Sequence, residues 1–229
     1  MARPLKLLSS MATREVLRDL ALRYERAAGQ PIAAEAAGGV DVAKRIAAGE
    51  AVDVVVLART AIDKLIGEGK LVAGSRVDLF NSGVAIAVKA GAAQPPVDTE
   101  EAVRRAVLGA RSLSYSTGPS GVYLEKLFER WGILEQIRSR IVVPRPGIPV
   151  GSLVASGEAE LGFQQLSELQ SLPGVTVIGP LPPAIQTITT FSGGIGGGSD
   201  AQEAARALLT YLASAQTLPV KQAHGMDGA

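Results

Sequence analysis

The chain has 229 residues, 47% of them hydrophobic and 20% charged, with a formal net charge of +1. That composition suits a globular protein long enough for one large domain or two lobes of about 100 residues each, and it gives no electrostatic pull towards nucleic acid or an anionic membrane. Aromatics at 4% leave no platform for stacking bases. Without cysteine, disulfides and thiolate metal sites are excluded; a Ser-His-Asp triad or a histidine-rich metal site would have to use His224, the only histidine, which reads as a surface residue of the tail.

The first ten residues enter a strand-like segment directly, with no charged region followed by an apolar stretch and a cleavage site. The expectation is a cytoplasmic protein if that start is natural, and a periplasmic one if an export signal has been removed. No apolar run is long enough for a membrane span. Leu5–Leu8 reads as a strand. Thr13 caps a helix with Leu17, Leu20, Ala21 and Tyr24 on one face, ended by Gly29. Pro31–Ala36 is a second strand, and Asp41 caps a helix carrying Val42, Ala43, Ile46 and Ala47. Asp53–Ala58 contains the continuous apolar run of a buried parallel strand, and Thr60 opens the next helix. Three strand–helix units in succession predict a parallel sheet with right-handed crossovers.

Gly83–Val88 is a further strand and Thr99 caps another helix. Leu113–Ser116 leads through Ser116-Thr-Gly-Pro-Ser-Gly121 into a helix whose stripe Tyr123, Leu124, Leu127, Phe128 and Trp131 reads as core. Ile141–Val143 is a strand, Val150–Ala155 a short helix, and Leu161–Gln164, Val175–Ile178 and Ile185–Phe191 are strands. Gly193–Gly198 reads as a flexible connection, and Ser199-Asp200 caps the last long helix.

Three strand-to-helix junctions carry the candidate chemistry, at Ser9–Thr13, Ala36–Asp41 and Ser116–Gly121. Each places small or hydroxyl residues where free amides and the helix dipole favour an anion, and each also reads as ordinary capping. None has the Gly-Lys-Ser/Thr of a nucleotide-hydrolase loop or a dinucleotide fingerprint. Arg59, directly after the buried strand, is either a bidentate partner for a carboxylate or a solvated loop arginine. Gln165 follows a strand and is an amide donor, with Gln164 as its equal, since alternation turns only one of them into a site. Glu35 is the best-placed carboxylate for proton transfer and also reads as a surface acid.

Several of these segments resemble the periplasmic molybdate-binding proteins and their relatives. They are the Ser-Ser-x-x-x junction at 9–13, Gly-Gly-Val-Asp-Val-Ala-Lys-Arg-Ile-Ala-Ala-Gly-Glu at 38–50, Val-Asp-Val-Val-Val at 52–56, Ser-Thr-Gly-Pro-Ser-Gly-Val-Tyr at 116–123 and Gly-Glu-Ala-Glu-Leu-Gly-Phe at 157–163. The resemblance implies a type-two periplasmic-binding-protein fold, with two Rossmann-like α/β lobes joined by two hinge strands. Lobe one would be 1–82 plus 190–229, and lobe two 83–189. It implies a small anion held in a cleft by Ser9, Ser10 and Gly39 on one side and Ser120, Pro149, Val150 and Gln165 on the other; Met11 and Thr117 of the junctions, and Arg59, complete the expected ligand-binding set. No metal or cofactor is implied, and an ABC permease is the partner if the protein is exported. Gly39-Val40 replaces a serine pair and Gln165 a tyrosine, which argues against molybdate and, with Arg59, for an organic carboxylate. The start Ser-Ser-Met-Ala-Thr-Arg and the ending His-Gly-Met-Asp-Gly-Ala are similar to the branch that includes aconitate isomerase. That branch implies proton transfer on an unsaturated tricarboxylate, with Glu35 as the base.

Overall fold

The structure, a computed structural model, describes residues 3–145 and 147–229; Met1, Ala2 and Pro146 lie outside the described residues. In chain order the elements are β1 (Leu5–Ser10), α1 (Arg14–Ala28), β2 (Ile32–Ala37), α2 (Gly39–Ala47), β3 (Val54–Ala58), α3 (Arg59–Gly67) and β4 (Val77–Lys89). Then come α4 (Glu100–Gly109), β5 (Leu113–Tyr115), α5 (Pro119–Arg130), α6 (Leu134–Ile137), α7 (Val150–Ser156), β6 (Leu161–Gln165), α8 (Leu166–Leu169) and β7 (Val175–Pro180). The chain ends with β8 (Ile188–Ile195), α9 (Gln202–Ala213), α10 (Leu218–Ala223) and β9 (Asp227–Gly228). Among the described residues no helix is long and apolar enough to cross a membrane. Two compact units result, Met1–Ser82 with Thr190–Ala229, and Gly83–Thr189; the chain passes between them within β4 and within β8.

In the first unit β1 lies between β2 and β3, all three parallel, with Leu7 beside both Ala34 and Val54. β8 runs antiparallel to β3 and joins β4, on which β9 also pairs. Strand alternation sorts the apolar residues onto two faces. Leu5, Leu7, Val54 and Val56 pack with Val16, Leu17 and Leu20 of α1 and Leu208, Leu209 and Leu212 of α9. Leu8, Val55 and Leu57 pack with Val42 and Ile46 of α2 and Ile62 and Leu65 of α3. Cover on both faces explains why residues 54–57 show no polar alternation. Each such side chain contributes roughly 1.5–3 kcal/mol of burial.

Of the glycines at 193–198, Gly193, Gly194 and Gly196 are not part of a flexible connection. Gly193 and Gly194 are buried within β8. A Cβ on Gly193 would stand 2.3 Å from Leu209 Cδ2, and one on Gly196 2.0 Å from the Val52 carbonyl oxygen. The missing side chains let α9 and the start of β3 close onto this strand.

In the second unit β5 and β6 are parallel, and β4 runs antiparallel to β6 on one side and to β7 on the other. Val84, Ile86 and Val88 face α4, α5 and α6, where Leu124, Leu127 and Phe128 confirm the expected stripe as core. Ala85 and Ala87 face the other way, against Leu169 of α8. Beside the chain crossing, the Gln186 carboxamide replaces a strand partner for Val84. Its Oε1 accepts from the Val84 amide at 3.0 Å and its Nε2 donates to the Val84 carbonyl at 3.1 Å.

Local details depart from the sequence reading. Thr13 does not cap α1; its Oγ1 donates back to the Ser10 carbonyl at 3.1 Å. α2 opens at Gly39 with Asp41 already inside it, and α3 opens at Arg59 rather than Thr60. Ile141–Val143 is reduced to a single bridge from Ile141 to Leu113. Thr99 does cap α4, accepting from the Ala102 amide at 3.1 Å.

Lys221, on α10, is 2% exposed. Its Nζ donates to the Leu79 carbonyl at 2.8 Å and lies 5.1 Å from the Phe80 ring centroid. Burial lowers its pKa, because no carboxylate compensates the lost hydration. Lys221→Met keeps the stem and removes the buried charge. It is therefore expected to change stability by no more than about 1 kcal/mol in a denaturant melt, against a loss of roughly 2 kcal/mol or more for Lys221→Ala, which also empties the space.

Candidate functional site

Three strands of the first unit end side by side, and each feeds a helix or helical turn at once. Ser9 and Ser10 close β1 and are 2% and 6% exposed; Ser10 pairs with Ala37, and Ser9 with both Ala36 and Val56. The turn that follows starts at half-buried Met11. The residues preceding the three helical segments are Ser10, Gly38 and Ala58, and none of their side chains accepts a bond from its helix. Gly38 and Ala58 have no side-chain acceptor to offer. Ser10 has one and does not use it this way; its Oγ lies 3.5 Å from Thr13 Oγ1. The first-turn amides therefore receive no side-chain cap, and such amides are the ones a helix leaves for an outside acceptor. A Cβ on Gly39 would lie 3.5 Å from Ser10 Cβ and 3.9 Å from Leu57 Cδ2, so the bare glycine leaves the space beside Ser10 open.

The second unit repeats the device at the end of β5. Gly118 precedes α5 without a side-chain cap and Pro119 opens it. Thr117 is exposed, while Ser120 is 4% exposed with its Oγ 3.0 Å from Ser116 Oγ. At the end of β6 the two glutamines separate. Gln164 Oε1 accepts from the Gly151 amide at 3.0 Å and its Nε2 donates to Glu168 at 2.7 Å, so it is spent on α7. Gln165 donates to Thr189 Oγ1 at 2.9 Å, and its Oε1 is buried without a partner among the described residues. Pro149 precedes α7, and Val150 is 1% exposed in an apolar cluster with Leu153, Val154 and Ala159. The Val150 side chain is thus core, and only its backbone is available to a ligand.

Glu35 and Arg59 are both paired. Glu35 accepts from Arg45 at 2.5 Å with its side chain half exposed. Arg45 lowers its pKa, the opposite of the shift that prepares a carboxylate to take a proton near neutrality. Arg59 donates from one terminal nitrogen, NH2, to Asp78 Oδ2 on β4 at 2.5 Å. Asp78, and Ser192 behind it, carry no sequence signal. An aspartate in a strand of mixed polarity looks like any surface acid until the sheet order brings it to Arg59.

A sequence model of the family described as bacterial extracellular solute-binding protein matches residues 5–227. The chain belongs to the bacterial extracellular solute-binding proteins. Within reach of this family, an aconitate isomerase of a Pseudomonas species is 40% identical over 218 residues, 92% of this chain and 82% of that protein. The periplasmic molybdate-binding protein of Azotobacter vinelandii superposes with a TM-score of 0.81 at 20% identity, covering 97% of this chain and 98% of that one. The sulfate-binding protein of Mycobacterium tuberculosis gives 0.77 at 14% identity, over 97% of this chain and 86% of that one. These solute-binding relatives share the type-two periplasmic-binding fold, and the expected superfamily and its aconitate-isomerase branch are both met.

Proposed function

We propose that this protein binds a small organic polycarboxylate and interconverts aconitate isomers. The observation that carries the binding is the row of uncapped first turns after β1, β2 and β3, beside the buried Ser9 and Ser10 hydroxyls. The 40% identical aconitate isomerase supports the chemistry. In that reaction a general base takes the methylene proton as the C–H bond breaks, the electron pair passes into a dienolate, and the protonated base returns a proton at the other end of the allyl unit. Carbon gains no oxygen and loses no electrons. Charge moves onto carboxylate oxygens, where amides and Arg59 stabilise it. In the second unit, Ser120 and Gln165 are the candidate ligand contacts. A half-turn of the Gln165 carboxamide lets Thr189 donate to its oxygen and frees both N–H groups for the anion.

Trans-aconitate added to the protein is expected to give the cis isomer, followed by NMR. Ser10→Ala and Ser120→Ala should each weaken binding about tenfold, the value of one charge-assisted hydrogen bond. Glu35→Gln should keep turnover if Glu35 serves only the Arg45 pair; loss of turnover in that variant assigns it the proton.

A second reading, delivery of the anion to an ABC permease outside the cytoplasm, is supported by the extracellular family. It predicts tight binding of trans-aconitate, sulfate or molybdate with no turnover. Recovery of the native protein in the periplasmic fraction supports export, and recovery in the cytosol counts against it.

A further inference from the structure

Arg59 opens α3 at the end of β3. Its guanidinium reaches past β8, where Leu57 of β3 pairs with Ser192, to Asp78 on β4. That single bond engages NH2, while Nε and NH1 make no hydrogen bond among the described residues. Asp78 is itself held. Its Oδ1 accepts from Ser192 Oγ at 2.6 Å, and Ser192 is 0% exposed. Arg76 Nε lies 3.7 Å from the same oxygen and Arg76 NH1 is 2.5 Å from Asp63.

We propose that Asp78 is the positioning residue for Arg59, fixing the guanidinium so that the edge it leaves free, the second Nη2 hydrogen with the N–H beside it, donates two parallel hydrogen bonds to a substrate carboxylate. The inference rests on the reading of the protein as a carboxylate binder. A long arginine side chain at a helix start otherwise spreads over many rotamers, and a ligand must then order it. Here the ordering is done in advance by Asp78, and Asp78 is ordered by a hydroxyl with no room to move. Two arginines and two aspartates share this corner, so their formal charges cancel. The fork therefore selects for the planar, two-oxygen shape of a carboxylate more than for negative charge as such.

The test is calorimetric titration with trans-aconitate on wild type, Arg59→Ala, Asp78→Ala, Asp78→Asn and the double alanine variant, with a thermal melt of each. Arg59→Ala is expected to weaken binding about thirtyfold and Asp78→Ala about tenfold. Asp78→Asn should stay within about threefold of wild type, since its Oδ1 still accepts from Arg59 and its Nδ2 donates to Ser192 Oγ. In the Arg59→Ala background, Asp78→Ala should cost no more than about twofold further, because it acts only through the arginine. A full tenfold loss in that background, or tighter binding in Asp78→Ala, overturns the proposal. An Arg59→Ala protein that binds like wild type removes the clamp altogether, while the amide row is judged separately by Ser10→Ala. A wild type that does not bind trans-aconitate refutes the underlying reading and the proposal with it.

Discussion

Asp53→Ala is expected to destabilise the first unit by about 3 kcal/mol, lowering the thermal midpoint by roughly 6–12 °C for a chain of this size. Asp53 is 3% exposed and stands immediately before β3. Both carboxylate oxygens are filled. Arg3 donates through two nitrogens at 2.8 and 2.9 Å, the Lys6 amide at 2.8 Å and Ser199 Oγ at 2.5 Å. One side chain thus ties the N-terminal segment, the start of β1 and the turn before α9. Alanine would strand the Lys6 amide and the Ser199 hydroxyl as well as removing the charge. Arg3, ahead of Ser199 and the Lys6 amide, holds the Asp53 carboxyl well below the usual carboxylate range, against the opposing effect of burial. A folded-state pKa below the unfolded value means that the contribution is complete above about pH 4 and drains away as the pH falls through the folded pKa. The gap in melting temperature between wild type and Asp53→Asn should therefore be widest near pH 7 and narrow below about pH 4. A gap that is constant with pH would show that the ionic part of this knot contributes nothing.

The sequence signals that worked were those whose cause is local or periodic. The run at 54–57 and the stripe at 123–131 report burial directly, so the strand and the helix were legible. The Ser-Thr-Gly-Pro-Ser-Gly loop was legible as a junction because proline and glycine constrain the backbone they occupy. What failed depends on residues distant in the chain. The glycines at 193–194 look like a linker until Leu209 and Leu71 press on them. Gln164 and Gln165 are indistinguishable in sequence, and the Gly151 amide decides between them. Glu35 looked free because Arg45 lies ten residues away on α2, and that pair exists only once the helix has packed beside β2. The same holds for Arg59, whose partner on β4 is reached across the intervening strand β8.

Gly121→Ala is expected to weaken trans-aconitate binding at least about a hundredfold, far more than Ser120→Ala beside it. A Cβ at this third residue of α5 would stand 1.6 Å from the Ser116 carbonyl oxygen, 2.7 Å from its carbon and 3.3 Å from Tyr115 Cδ2. Backbone cannot yield as a side-chain tip does. The Ser116 carbonyl would have to retreat by more than an ångström, taking Thr117 and Gly118 with it and parting the Ser116 and Ser120 hydroxyls now 3.0 Å apart. Overpacking of this kind costs about 1–3 kcal/mol of stability, so the melt should shift as well. The two readouts separate the roles of this loop. Ser120→Ala removes one hydroxyl and its contact with Ser116 and leaves the backbone of the loop in place, whereas Gly121→Ala moves that backbone. If Gly121→Ala lowers the melting temperature while binding trans-aconitate as tightly as wild type, the loop at 116–121 is a structural turn, and the anion is held without it.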